Sequence, residues 1–307
     1  MKKIILAGGS GFLGRSFEAY AQNLGWEIII LTRTPKQPNE IAWDGQTLGD
    51  WVHSLKGAEA VVNFTGRSVN CLYTPENRRE ILDSRLDSVR VIQQALTSIP
   101  DSERPKSLIQ GASLAIYGNT QELCVEDSPH GEGFSVEVCQ QWESAFFENP
   151  IPQVRKCLLR IGFALGANGG ALAPLRQLTQ AFLGGSTGSG TQYISWLHVD
   201  DLNRMILRCI EDASLEGTFN ATGIQPVTNK EFMQTMRHAL QRPWSPPVPS
   251  LAVRFGAKFI LKTEADLALT GRKCLPKRFQ DIGFTFEHRD LQPALEKIFQ
   301  EWKGYAA

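Results

Sequence analysis

The chain has 307 residues, 42% of them hydrophobic, enough to bury one large core or a large and a small one. Its 32 basic residues balance 32 acidic ones, which leaves no electrostatic footprint for nucleic acid and no polybasic run for a membrane surface. No apolar run approaches the ~20 residues needed to cross a bilayer, and the N-terminus leads straight into a strand, so a cytoplasmic protein handling a small molecule is expected, as a monomer or a homodimer. The six cysteines (Cys71, Cys124, Cys139, Cys157, Cys209, Cys274) are scattered, with no Cys-x-x-Cys and no histidine at ligand spacing, which predicts reduced thiols and no metal.

Residues 4 to 14 read Ile-Ile-Leu-Ala-Gly-Gly-Ser-Gly-Phe-Leu-Gly, a buried-strand pattern that ends in glycines at Gly8, Gly11 and Gly14. A strand turning into a helix beneath a pyrophosphate needs bare backbone at the turn, at the ligand and at the helix-strand contact. The helix start, Ser10 to Gly14 with Phe12 and Leu13, then offers free amides to phosphate. A helix to about Asn23 and a strand Glu27 to Leu31 follow. An NAD site places an acidic residue at the end of that second strand to hold the ribose hydroxyls; here the positions are Thr32-Arg33-Thr34, and Arg33 offers a cation to a 2′-phosphate, which favours NADP(H). Next come a short strand at 41 to 43, a helix near 48 to 55 and the apolar run 60 to 64. The end of that run, Asn63, Thr65 and Gly66, is expected against the cofactor at the carboxyl edge of the sheet. Ile81, Leu82, Leu86, Val89, Ile92, Ala95 and Leu96 predict one long helix from Glu76 to Leu96, and 107 to 112 and 154 to 161 further strands. The alternation predicts an α/β fold, a Rossmann-type doubly wound parallel sheet. It divides at residues 1–225, which include part of a substrate lobe at about 165–195, and 226–307, a smaller, mainly helical lobe; within the latter a stiff proline-rich segment at 242–249 precedes the helical tail.

Five motifs in order, Gly8 to Gly14, Asn63 to Gly66, Ser113-Leu114-Ala115-Ile116-Tyr117-Gly118, Arg160-Ile161-Gly162 and Trp196 to Asp201, make residues 1 to 220 resemble the extended short-chain dehydrogenase/reductase superfamily. Gly188 to Gln192, Pro226 to Asn229 and the tail from Leu267 to Phe284 are similar to its "epimerase family protein" branch, which ends in a short domain of unknown function. The resemblance implies an NADP(H)-dependent oxidoreductase or epimerase. It puts Ser113 at the position of the catalytic serine and Arg160 where the family supports the substrate lobe, among the cofactor-binding positions; a buried arginine paired with a carboxylate reads equally well there. Tyr117, one step from Ser113, is the second catalytic candidate.

The departure is as informative. None of Tyr20, Tyr73, Tyr117, Tyr193 and Tyr305 has a lysine four residues later, so the usual proton-transfer pair is missing, and Glu137, Cys139 and Glu143 stand on the helix expected to carry it. A non-catalytic NADP(H) sensor or scaffold, including a role in cell division, and a nucleotide-sugar binder are the alternative readings. His198 with Asp200 and Asp201 is read as a helix start, with an aspartate as N-cap and loop anchor. Gly169, Gly170 and 184 to 190 are read as walls or gates near the nicotinamide.

Overall fold

The computed structural model describes residues 2–167 and 169–305. In β1 (Lys3–Ala7) successive side chains enter opposite layers: Ile4 and Leu6 join one apolar cluster, Ile5 and Ala7 another. A strand buried on both faces belongs in the middle of a covered parallel sheet. β2 (Glu27–Thr32), β3 (Glu40–Ala42), β4 (Ala60–Asn63), β5 (Ser107–Ser113), β6 (Arg155–Ile161) and β7 (Gly217–Ala221) complete it, in the order β7-β6-β5-β4-β1-β2-β3 with every pairing parallel. The chain winds outward from β1 to β3 and then returns to β4 on the other side of β1. Open α/β sheets bind ligands at such a reversal, beyond the carboxyl ends of the strands.

One face is covered by α1 (Phe12–Asn23), the other by α2 (Pro75–Ser98) and α3 (Phe134–Glu148). Thr74 caps α2 by accepting from the Asn77 amide, with Pro75 in the first turn, where a missing N–H costs nothing. α4 (Val199–Glu211) joins α1 on its face. Its cap is His198, whose Nδ1 accepts from the Asp200 amide at 3.1 Å, and not an aspartate as expected. Asp201 does anchor a loop, accepting from the amides of Glu287 and His288, both at 2.9 Å.

The helix expected near 48 to 55 shrinks to Val52–Leu55, with Trp51 packed instead on Trp43. The smaller lobe gathers Leu165, Leu172 and Trp196 from before residue 225 with residues of α5 (Asn229–Ala239) and α6 (Leu291–Tyr305) from after it. Phe279 and Phe286 lie in the main core, and Lys273–Cys274 pairs with Leu123–Cys124, so the tail is tied to both lobes. Among the described residues no helix is long and apolar enough to cross a membrane.

Candidate functional site

At the end of β1, Gly8 adopts φ +68°, a left-handed conformation that a side chain resists, and a Cβ there would meet Thr65 Oγ1 at 2.6 Å. A Cβ on Gly14 would reach the Gly9 carbonyl oxygen at 2.2 Å, so α1 is seated directly on the turn. Gly11, by contrast, faces open space, and it caps α1 with no side chain covering the first amides. This is the cradle a diphosphate needs: bare backbone outward and unsatisfied N–H groups at a helix start. The Phe12 ring packs beneath Gly166, Gly169 and Gly170, where a Cβ would come within 2.9, 3.3 and 2.9 Å of it, so this glycine wall stands over the phosphate turn.

Beside the turn, buried Thr32 donates its hydroxyl hydrogen to Ser10 Oγ at 3.1 Å. Arg33 is exposed and has no partner among the described residues, whereas Arg15 is taken up by Glu18, Gln37 and Glu40. Arg33 therefore keeps its guanidinium unpaired just beyond the end of β2. At the end of β4, Thr65 Oγ1 is buried without a partner beside Gly8, an orphaned hydroxyl of the sort a ligand satisfies. Asn63 differs from expectation. Its carboxamide is fully buried, donates to Ser88 and Gln110 and accepts from the Thr65 amide at 2.9 Å, so it shapes the turn from within and does not reach the cleft. Gly66 lies bare against the guanidinium of Arg85, whose Cζ would be 3.1 Å from a Cβ there. Arg85, on α2, was not among the candidates read from the sequence, and it lies against this edge.

Ser113 closes β5 at the carboxyl edge, half-buried, its Oγ accepting from the Ala115 amide at 3.1 Å. One lone pair is used, and the hydroxyl hydrogen remains for a ligand. Tyr117 and Arg160 take a different direction. The Tyr117 hydroxyl donates within reach of Asn220 Oδ1 at 2.8 Å and the Val125 carbonyl at 2.9 Å, and accepts from Arg160 at 2.7 Å. Burial pushes this phenol up to about 12, with Arg160 and Asn220 pulling the other way. Arg160 is 4% exposed and clasps both oxygens of Glu143 at 2.9 and 2.8 Å. Its burial works against the charge, yet Glu143 holds it well above its ordinary value. Tyr117 and Arg160 differ from expectation: the bonds of both run into a buried network with Glu143, Glu126 and Asn220 and not towards the carboxyl edge where Ser113 lies. Of the other candidates, Glu137 is exposed on α3, and Cys139, pushed up to about 12 by burial, is a neutral thiol packed on the Ser113 carbonyl.

His198, Asp200 and His288 bring ligand atoms within 4.8 Å of one another. Lys297 Nζ already sits there, 2.8 Å from Asp200 Oδ2 and 3.4 Å from His288 Nε2. A protein cation thus neutralises the carboxylate, and His198 Nδ1 is spent on the cap.

Residues 4–136 match the model of the NAD dependent epimerase/dehydratase family, and 248–298 match a domain of unknown function, DUF1731. "Epimerase family protein SDR39U1 homolog, chloroplastic" from Arabidopsis thaliana is 32% identical over 97% of this chain and 86% of its own length. The chain belongs to this epimerase family. "Epimerase family protein YfhF" of Bacillus subtilis is 30% identical over 98% of this chain and 99% of its own. The crystal structure of human epimerase family protein SDR39U1 (isoform 2), solved with NADPH, superposes with a TM-score of 0.88 at 29% identity, covering 97% of this chain and 99% of that one.

Proposed function

We propose that the protein binds NADP(H) across the β1–β4 reversal and acts as an oxidoreductase or epimerase on a small molecule oriented by Ser113. The observation that carries the reading is the pairing of an open amide cradle at Gly11 with an unpartnered Arg33 at the end of β2, where an NAD site would hold an acid. The human relative crystallised with NADPH supports it. The amides that open α1 would hold the diphosphate, Thr65 Oγ1 would gain the partner it lacks, and Arg33 with Ser10 would meet the 2′-phosphate. Nicotinamide, when bound, supplies or accepts a hydride. Ser113 keeps a hydroxyl hydrogen to orient a carbonyl or hydroxyl of the substrate.

The test is thermal melting with NADPH, NADH and neither, since a ligand that binds the folded state raises Tm, and at equal concentration the tighter one raises it more. NADPH is expected to raise Tm more than NADH, and Arg33→Ala to erase the difference, a loss of about 1.5–3 kcal/mol for a charged hydrogen bond. Equal stabilisation of the wild type by NADH overturns the role of Arg33; no stabilisation by either at millimolar concentration overturns the reading. A second reading, a non-catalytic NADP(H) sensor, is favoured by Tyr117 being fully engaged and Cys139 being neutral. Ser113→Ala separates the two: it abolishes turnover in an enzyme, with NADPH affinity unchanged, and leaves a sensor indifferent.

A further inference from the structure

Away from the cofactor cradle, the smaller lobe holds a cavity of about 450 Å³ between one side of α5, the proline-rich segment 242–249 and the loop at Ser186. Small-molecule sites run from roughly 300 to 1,000 Å³. Lys230, Gln234, Arg237 and His238 all line it from α5, and their spacing of four, three and one places them on a single helical face.

The turn that ends α5 adds a further cation. The amides of Gln241 and Arg242 return to the carbonyls of His238 and Arg237 at 3.0 and 2.8 Å, the paired bonds of a Schellman turn. Gln241 adopts φ +54° there, a place glycine usually fills, and Arg242 is thereby folded back beside Arg237. The Arg242 guanidinium, half-buried, lies 5.1 Å from the centre of the Phe182 ring, and its Nε is buried without a partner. The facing wall is fixed as well. Val248 donates its amide to the Ser186 carbonyl at 2.8 Å and accepts from the Gly188 amide at 2.9 Å.

Three cations and an imidazole line the cavity and no carboxylate does, in a chain whose 32 basic residues balance 32 acidic ones. None of the four bases makes an ion pair among the described residues. Arg237 gives one N–H to the Gly184 carbonyl at 2.6 Å, and the nearby Glu231 carboxylate is spent on the cap of α5. The helix dipole accounts for cations at Arg237 and His238, in the last turn, but Lys230 stands in the first turn, where a cation is disfavoured. A bound anion accounts for all of them. The same cavity is lined by Trp244, whose ring is 74% exposed, a flat apolar face on which a planar group can stack.

We propose that this cavity is a nucleotide site, with the phosphates held by Arg237, Arg242, Lys230 and His238 and the base stacked on Trp244. Guanidiniums donate in pairs to phosphate oxygens. None of these residues belongs to the cofactor cradle or lies beside Ser113, so the site is separate from the one that takes NADP(H).

The experiment uses full-length protein saturated with NADPH, whose own fluorescence reports that the cofactor stays bound. ADP and pyrophosphate are titrated calorimetrically at matched ionic strength into the wild type, Arg242→Gln, Lys230→Gln, Trp244→Ala and the surface control Arg90→Gln. ADP should bind the wild type and the control equally without displacing NADPH, and pyrophosphate should bind more weakly. Arg242→Gln should weaken ADP about tenfold, the scale of one charged hydrogen bond. Lys230→Gln, at an exposed position that no packing depends on, should weaken it by a smaller factor, and Trp244→Ala should bring ADP down to the affinity of pyrophosphate. The proposal is overturned if ADP does not bind, if it binds only by displacing NADPH, if Arg242→Gln and Lys230→Gln bind it as the wild type does, or if pyrophosphate binds as tightly as ADP. A wild type that holds no NADPH fails the cofactor reading instead, and the dependence of ADP binding on Arg242, Lys230 and Trp244 is then read in the same way.

Discussion

Arg160, buried, and Arg272, half-buried, are partnered in opposite ways. Arg160 has a carboxylate on two of its nitrogens and a phenol and a carbonyl on a third, so four of its five N–H groups are bonded, and the fifth faces His130 Nε2 at 3.5 Å. Arg272 has none of these. The first region is one the protein completes by itself, and it locks β6, α3 and the Tyr117 turn together. The second is left incomplete, as are the amides at Gly11 and the Thr65 hydroxyl. A third solution sits on α4: His198, 1% exposed, gives up its charge, pushed down to about 4 by burial and by His288 and Lys297 against the pull of Asp200. Burying a base therefore has two outcomes here, pairing at Arg160 and neutrality at His198.

The largest expected effect comes from breaking the pair. Glu143→Leu strands the Arg160 charge and should cost about 3–5 kcal/mol in urea unfolding. The double change Glu143→Leu with Arg160→Met should recover most of that loss, since an apolar pair can replace a buried ion pair. If the double variant is as unstable as the single, the cost lies in packing and the contrast with Arg272 weakens. The smallest effect is on pH. The folded His198 is neutral while the unfolded one titrates near 6.5, so its contribution is complete above that value and fades as pH falls toward 4. Asp200, held below its ordinary value by Lys297 against the effect of its own burial, adds a loss of the same sign at lower pH. Tm should drop by a few degrees between pH 7 and 5, and less in His198→Gln; an equal drop would remove His198 from the account.

The winding of the sheet and the cradle were legible because backbone demands single residue types: only glycine fits at Gly8 and Gly14, and the apolar runs of β1, β2 and β4 have one reading. β7 was not legible. Gly-Thr-Phe-Asn-Ala has no apolar run, and its Asn220 is there for the Tyr117 hydroxyl, a partner 103 residues away. Tyr117 and Arg160 misled for the same reason, since nothing local tells a buried network from a pocket wall. Arg85 did leave a signal, a cation on the apolar stripe of α2. Arg272 left none, because the tail strand that follows it, Lys273–Cys274, pairs with 123–124, and that contact is invisible without the fold.

The same pairing gives the tail a chemical reporter. Cys124, Cys139 and Cys274 are all at or below 5% exposure in one small cluster beneath the strand Lys273–Cys274, while Cys71 is the partly accessible cysteine. An intact chain should therefore take up a single equivalent of iodoacetamide quickly, at Cys71. Lifting the tail, by truncation before Gly271 or by mild denaturant, should release Cys124 and Cys139 to alkylation, so the rate at which extra label appears measures how often the lobe that carries Arg272 leaves its seat.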